Sequence, residues 1–83
     1  EANNNLIKLY PTIAQDIMYL DVLTSFDNGI VQIISLQGEL MNTIQIGNNT
    51  TDNAINVANY PQGTYILSLT TDTFRSTQRF VKM

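Results

Sequence analysis

The stretch "PTIAQDIMYLDVL", residues 11–23, is where a helical and a strand reading of this chain diverge. Pro11-Thr12 can open a helix, and here alone the apolar residues offer helical spacing. The residues from Ile17 onward decide the matter. Met18, Leu20 and Val22 alternate with Tyr19 and Asp21, a period of two, and the run mixes β-branched with aromatic side chains. The stretch reads as a strand, and the last helical candidate goes with it.

The flanking sequence breaks into similar short runs. "LIKLY" (6–10) stops at Pro11, whose missing N–H ends a ladder. "SFDNG" (25–29) reads as a turn, with Asp27 and Asn28 bonding their own backbone and Gly29 supplying a positive φ. "IVQIISL" (30–36) is the most apolar run and reads as a central strand buried on both faces. Gly38 breaks it, and "ELMNTIQI" (39–46) follows as the next strand. "GNNTTDN" (47–53) is a polar loop, "AINV" (54–57) a short strand and "NYPQG" (59–63) a turn. "TYILSLTT" (64–71) and "FRSTQRFVKM" (74–83) close the chain. About seven strands, with turn signals roughly every 8 to 12 residues, make the pattern of an antiparallel β-sandwich. "EANNN" (1–5) has no periodicity and reads as a linker tail before one domain spanning 6–83. Because the chain opens on Glu1 rather than Met, it reads as an excised domain with any export signal upstream.

Composition narrows the class of function. A chain of 83 residues, 43% hydrophobic, can bury one modest core. Charged residues are 13%, against about 25% in an ordinary soluble domain. Asn and Thr, poor helix formers, carry solubility instead. With no cysteine there is neither a disulfide framework nor a thiolate zinc site. A net charge of −3 leaves no basic stripe for displacing counterions from nucleic-acid phosphates. No apolar run approaches the ~20 residues a membrane helix needs.

Catalytic chemistry is thin as well. Without histidine or cysteine, neither a Ser-His-Asp nor a Cys-His arrangement can be built. What remains is a carboxylate pair drawn from Asp16, Asp21, Asp27, Asp52 and Asp72. Four of these sit in or beside turns, where Asp serves backbone geometry, and alternation faces Asp21 outward. Asp52 with the amide and hydroxyl oxygens of its loop is a weak echo of a Ca²⁺ site. Asn48-Asn49-Thr50 and Asn49-Thr50-Thr51 are formal glycosylation acceptors, as an Asn/Thr-rich loop produces by chance. The four tyrosines and three phenylalanines would make a sugar platform if several faced solvent together; the plainer expectation packs Tyr10, Tyr60 and Tyr65 at turn–strand junctions with hydroxyls at the surface. No catalytic, metal-binding or cofactor-binding residue is assigned, and the chain reads as a non-enzymatic β domain.

The order of features resembles a known family, the C-terminal sorting domain of the type IX secretion system, type A. That family opens with a Tyr-Pro motif after a short apolar strand, here "LYPT" (9–12) with Tyr10 and Pro11. An alternating strand follows, matched by "IMYLDV", then an apolar strand leading to a turn glycine, matched by "VQIISLQG" (31–38) with Gly38. "INVANYPQGTYILSL" (55–69) matches the closing pattern at Ile55, Val57, Gly63, Tyr65, Leu67 and Leu69. "RFVKM" (79–83) matches its basic and apolar ending. The chain departs at Thr12, Ile13, Ser35 and Tyr60, where the family favours Asn, Pro, Tyr and Leu.

The resemblance implies an Ig-like sandwich at the C-terminus of a cargo protein. It implies passage through the periplasm, recognition by an outer-membrane translocon, and delivery to the cell surface or beyond. It also implies removal by a sortase-like cysteine peptidase, which places cleavage in or just before Glu1, Ala2, Asn3, Asn4 and Asn5, a polar stretch accessible by composition. Arg75, Arg79, Phe80, Val81 and Lys82 are the candidates for translocon recognition. A last strand without a successor is expected at a sheet edge, where a partner, or a second copy, can add a strand. Gly63 and Tyr65, with Tyr10, Pro11 and Gly38, read as structural. The competing functions are an Ig-like adhesion or carbohydrate-binding module and a plain spacer within a larger extracellular protein.

Overall fold

Pro11 marks the place where the chain changes sheets. In the computed structural model, which describes residues 6–23, 26–47 and 53–83, strand β1 (Ile7–Tyr10) pairs antiparallel with β3 (Ile17–Val22), Tyr10 facing Tyr19. After the cis Tyr10–Pro11 peptide, the two-residue strand β2 (Ile13–Ala14) lies in the other sheet. The remaining strands are β4 (Asn28–Ser35), β5 (Leu40–Gly47), β6 (Asn53–Asn56), β7 (Gly63–Thr71) and β8 (Arg75–Lys82). One sheet has the order β1-β3-β6 and the other β2-β8-β7-β4-β5. The alternation of 17–22 thus forms a strand, as its period dictates.

The described residues form eight strands rather than about seven, and the addition is β2. It pairs parallel with β8 through Ile13↔Val81 and Ala14↔Lys82, so the sandwich is not wholly antiparallel. Two residues carry no periodicity, which is why sequence reading passes over them.

The core lies between the sheets. Met18 and Leu20 from β3, Val31 and Ile33 from β4, Leu67 and Leu69 from β7, and Phe80 from β8 are almost wholly excluded from solvent. β4 is central in its sheet, between β7 and β5, but it is buried on one face only. Ile30 is 43% exposed, because its apolar run turns alternate residues to the open outer face of the sandwich.

Gly29 also departs from expectation. It belongs to β4, and the positive-φ glycines are Gly38 (φ 92°), between β4 and β5, and Gly63 (φ 150°), the first residue of β7. A Cβ at Gly29 would stand 3.0 Å from Leu69 Cδ1 and 3.3 Å from Phe26 Cε2. Glycine is used there for close approach of the core to the backbone.

Candidate recognition surface

β8 pairs along its length with β7, from Gly63↔Lys82 to Thr70↔Arg75. On its other side lie residues 12–14. The Val81 N–H donates to Thr12 O at 2.8 Å and the Met83 N–H to Ala14 O at 2.9 Å. Lateral direction alternates along a strand, so the backbone groups of Thr77 and Arg79 point to that same side. No described strand faces them there. The expectation of a bare terminal edge is therefore corrected: the end of β8 is covered by β2, and the stretch before it is open. Sequence order misleads because the closing strand inserts between β2 and β7.

The side chains divide by face. Phe80 is 1% exposed and stacks on Tyr65 with ring centroids 5.5 Å apart. Lys82 is buried along its stem while its Nζ donates to Met83 O at 3.0 Å. Val81 is half-buried beside Ile13. Arg75 and Arg79 are exposed, on either side of Thr77 on the outer face, and Arg75 Nε–H reaches Ser68 Oγ at 3.4 Å. Of the five candidates, then, the two arginines present charge to solvent and Phe80 belongs to the core. None of the five strands of this sheet contains a carboxylate. A chain of net charge −3 thus turns a basic face outward here.

Behind this face the structural residues lock the hairpin. The Tyr65 hydroxyl donates to Pro61 O at 2.6 Å, closing the turn before β7. Burial pushes the Tyr65 pKa above its ordinary 10.0, helped by the charge of Glu39 and by Tyr60. The turn carrying Gly38 and the start of β7 at Gly63 border a shallow depression of about 230 Å³, lined by Ser35, Glu39, Gly63 and Tyr65 among others. Tyr10 lies on the opposite sheet, stacked on Tyr19 at 5.6 Å, with Lys8 Nζ 5.7 Å from its ring centre.

Tyr10 lies on a different sheet from Tyr65 and its neighbour Tyr60, and they share no exposed face. Tyr60 and Tyr65 pack against each other at 5.5 Å, and the hydroxyls expected at the surface are turned inward. Asp16, Asp27 and Asp72 are exposed at separate turns, and Asp21 is half-buried opposite Lys8. Among the described residues no three potential ligands gather in a way that could hold a metal. Glu1 to Asn5, Asn48 to Thr51 and Asp52 lie outside the described residues. Thr12 and Ala14 carry the cover over β8, and no sequence signal marks them beyond the break at Pro11.

Comparison with known proteins agrees with this architecture. No curated protein sequence matches the chain. Among solved structures it is similar to a DUF3244 family protein with an immunoglobulin-like β-sandwich fold from Bacteroides vulgatus. The TM-score is 0.82 and the identity 17%, over 100% of this chain and 92% of that one, a likeness of fold. The fold is thus an Ig-like sandwich. Residues 8–83 match the family described as the secretion system C-terminal sorting domain. Both the opening Tyr-Pro and the covered terminal strand fall inside that match, and the chain belongs to the C-terminal sorting domain family of the type IX secretion system.

Proposed function

We propose that this domain is the address that carries an upstream cargo protein through the outer-membrane type IX translocon, and that the address is read at β8. Membership in the sorting-domain family supports attachment to a cargo, handling by the type IX system and export toward the cell surface or beyond. The observation carrying the finer reading is the open stretch of β8, where Thr77 and Arg79 turn backbone groups to the uncovered side and Arg75 and Arg79 stand exposed on a sheet whose strands carry no carboxylate. A partner strand can extend the sheet there, while the basic side chains select for acidic residues. Phe80 and Lys82 keep the strand in place from the inner face. The domain performs no reaction of its own. It passes through the periplasm folded, and a sortase-like cysteine peptidase then separates it from the cargo within or before residues 1–5.

The test is a fusion of residues 1–83 to the C-terminus of a periplasmic reporter, in a strain with the type IX system. The fused reporter is expected at the cell surface and the unfused one in the periplasm. Removing residues 79–83, which deletes core residue Phe80 with the end of β8, is expected to hold the fusion in the periplasm. Equal export of the truncated fusion would refute a terminal address.

A further inference from the structure

Among the described residues, the sandwich has four lateral borders, and three are guarded. β1 is four residues long, carries Lys8 and runs into Pro11. β6 is also four residues. The β8 border is partly covered by β2 and flanked by Arg75 and Arg79. Short strands, proline and charge are the usual devices against unwanted strand addition.

β5 is neither short nor charged nor interrupted by proline; its one irregularity is a bulge at its start, where Met41 is an extra residue between Leu40 and Asn42, the partners of Ile34 and Ile33. The strand is eight residues long, its sequence "LMNTIQIG" contains no charge and no proline, and it ends the order of its sheet. The Ser35 N–H donates to Glu39 O at 2.9 Å, which fixes the residues of β4 that face β5 as Ser35, Ile33, Val31 and Gly29; on β5 the extra residue Met41 shifts the alternation by one before Asn42. Asn42, Ile44 and Ile46, opposite Ile33, Val31 and Gly29, bond inward to β4. Thr43 and Gln45 therefore turn N–H and C=O to the open side. Met41, Ile44 and Ile46 sit half-buried at this margin, packed on the core from one side only.

We propose that β5 is the self-association edge of this chain, pairing antiparallel with β5 of a second copy to join two five-stranded sheets into one. A two-fold axis at Ile44 gives the arrangement. Thr43 of each copy then faces Gln45 of the other, so both exchange N–H···O bonds, and Ile44 meets its counterpart on the inner face. The uncharged strand is compatible with its own copy. The nearest flanking charge, Glu39, falls at opposite ends, so the two carboxylates stand roughly 27 Å apart at about eight residues of strand rise, Met41 being an extra residue in each strand. A single pair of eight-residue edges is a small interface, which places the dimer in the weak, concentration-dependent class. The proposal is independent of how β8 is read, and it moves self-association from the last strand to a middle one.

Sedimentation equilibrium of the 83-residue chain, from about 10 µM to about 1 mM, tests it, a window suited to a small interface. The intact chain is expected to be monomeric at the low end and substantially dimeric at the high end. T43K/Q45K places lysine opposite lysine at exposed positions and is expected to weaken association at least tenfold with an unchanged circular-dichroism spectrum. Thr77→Lys, on β8, is expected to leave association intact. A chain still monomeric at the highest concentration would overturn the proposal, as would association lost in Thr77→Lys but kept in T43K/Q45K.

Discussion

The carbonyl of Thr12 accepts a 2.8 Å hydrogen bond from the Val81 N–H, joining the residues after the opening Tyr-Pro to the closing strand. Two segments nearly the whole chain apart form one unit. Ala14, 1% exposed, anchors the cover by seating its methyl in the core beside Lys82.

Ala14→Leu is therefore expected to loosen this cover, since overfilling a packed site costs about 1–3 kcal/mol. Hydrogen exchange reads the effect. The Val81 and Met83 amides, bonded to Thr12 and Ala14, should exchange on the order of tenfold faster or more, whereas Leu67, in mid-sheet, keeps its protection. Unchanged exchange at Val81 would mean that residues 12–14 do not hold β8.

Gly29→Ala is expected to lower stability by about 1–3 kcal/mol in urea denaturation, because the new methyl meets Leu69 Cδ1 at 3.0 Å. Gly47→Ala, whose Cβ would have nothing within 4 Å, is the control without that clash. Equal stability of the two variants would contradict the close-approach role of Gly29.

Tyr65→Phe removes the 2.6 Å hydrogen bond to Pro61 O and is expected to cost about 1 kcal/mol at neutral pH. Its pH dependence follows from burial. The unfolded chain releases the tyrosine proton near the ordinary 10.0, and the folded chain, with the pKa raised, holds it to higher pH. The contribution is complete below pH 10.0 and is lost as pH rises through the folded value. Thermal melts of the two proteins should thus converge above pH 10.0, and a constant gap would show that Tyr65 does not titrate as a buried group.

Much of the fold was legible because most strands carry a period. Met18, Leu20 and Val22 announce their inner face by alternation, and the outcome matches residue for residue. Three features were hidden. Ile13–Ala14 is too short to have a period, and it covers the strand that sequence order left bare. The apolar run at 30–36 suggested burial on both faces, whereas the sheet leaves Ile30 on an open one. Gly29 follows Asp-Asn, the composition of a turn, yet the constraint on it comes from Leu69, far away in sequence. The candidate recognition surface was half legible. The concentration of Arg75, Arg79 and Lys82 near the end is visible in the sequence. That Lys82 turns inward while the arginines turn outward depends on the register with β7.

The most direct test of the central claim leaves the core untouched. R75E/R79E reverses the two exposed charges of β8 while keeping Phe80, Lys82 and the cover from residues 12–14. The surface-exposed fraction of a reporter fused to this variant, measured by protease accessibility of whole cells, is the deciding quantity. An address read at β8 predicts a folded domain whose reporter stays inside. Export at the level of the unaltered domain would contradict it.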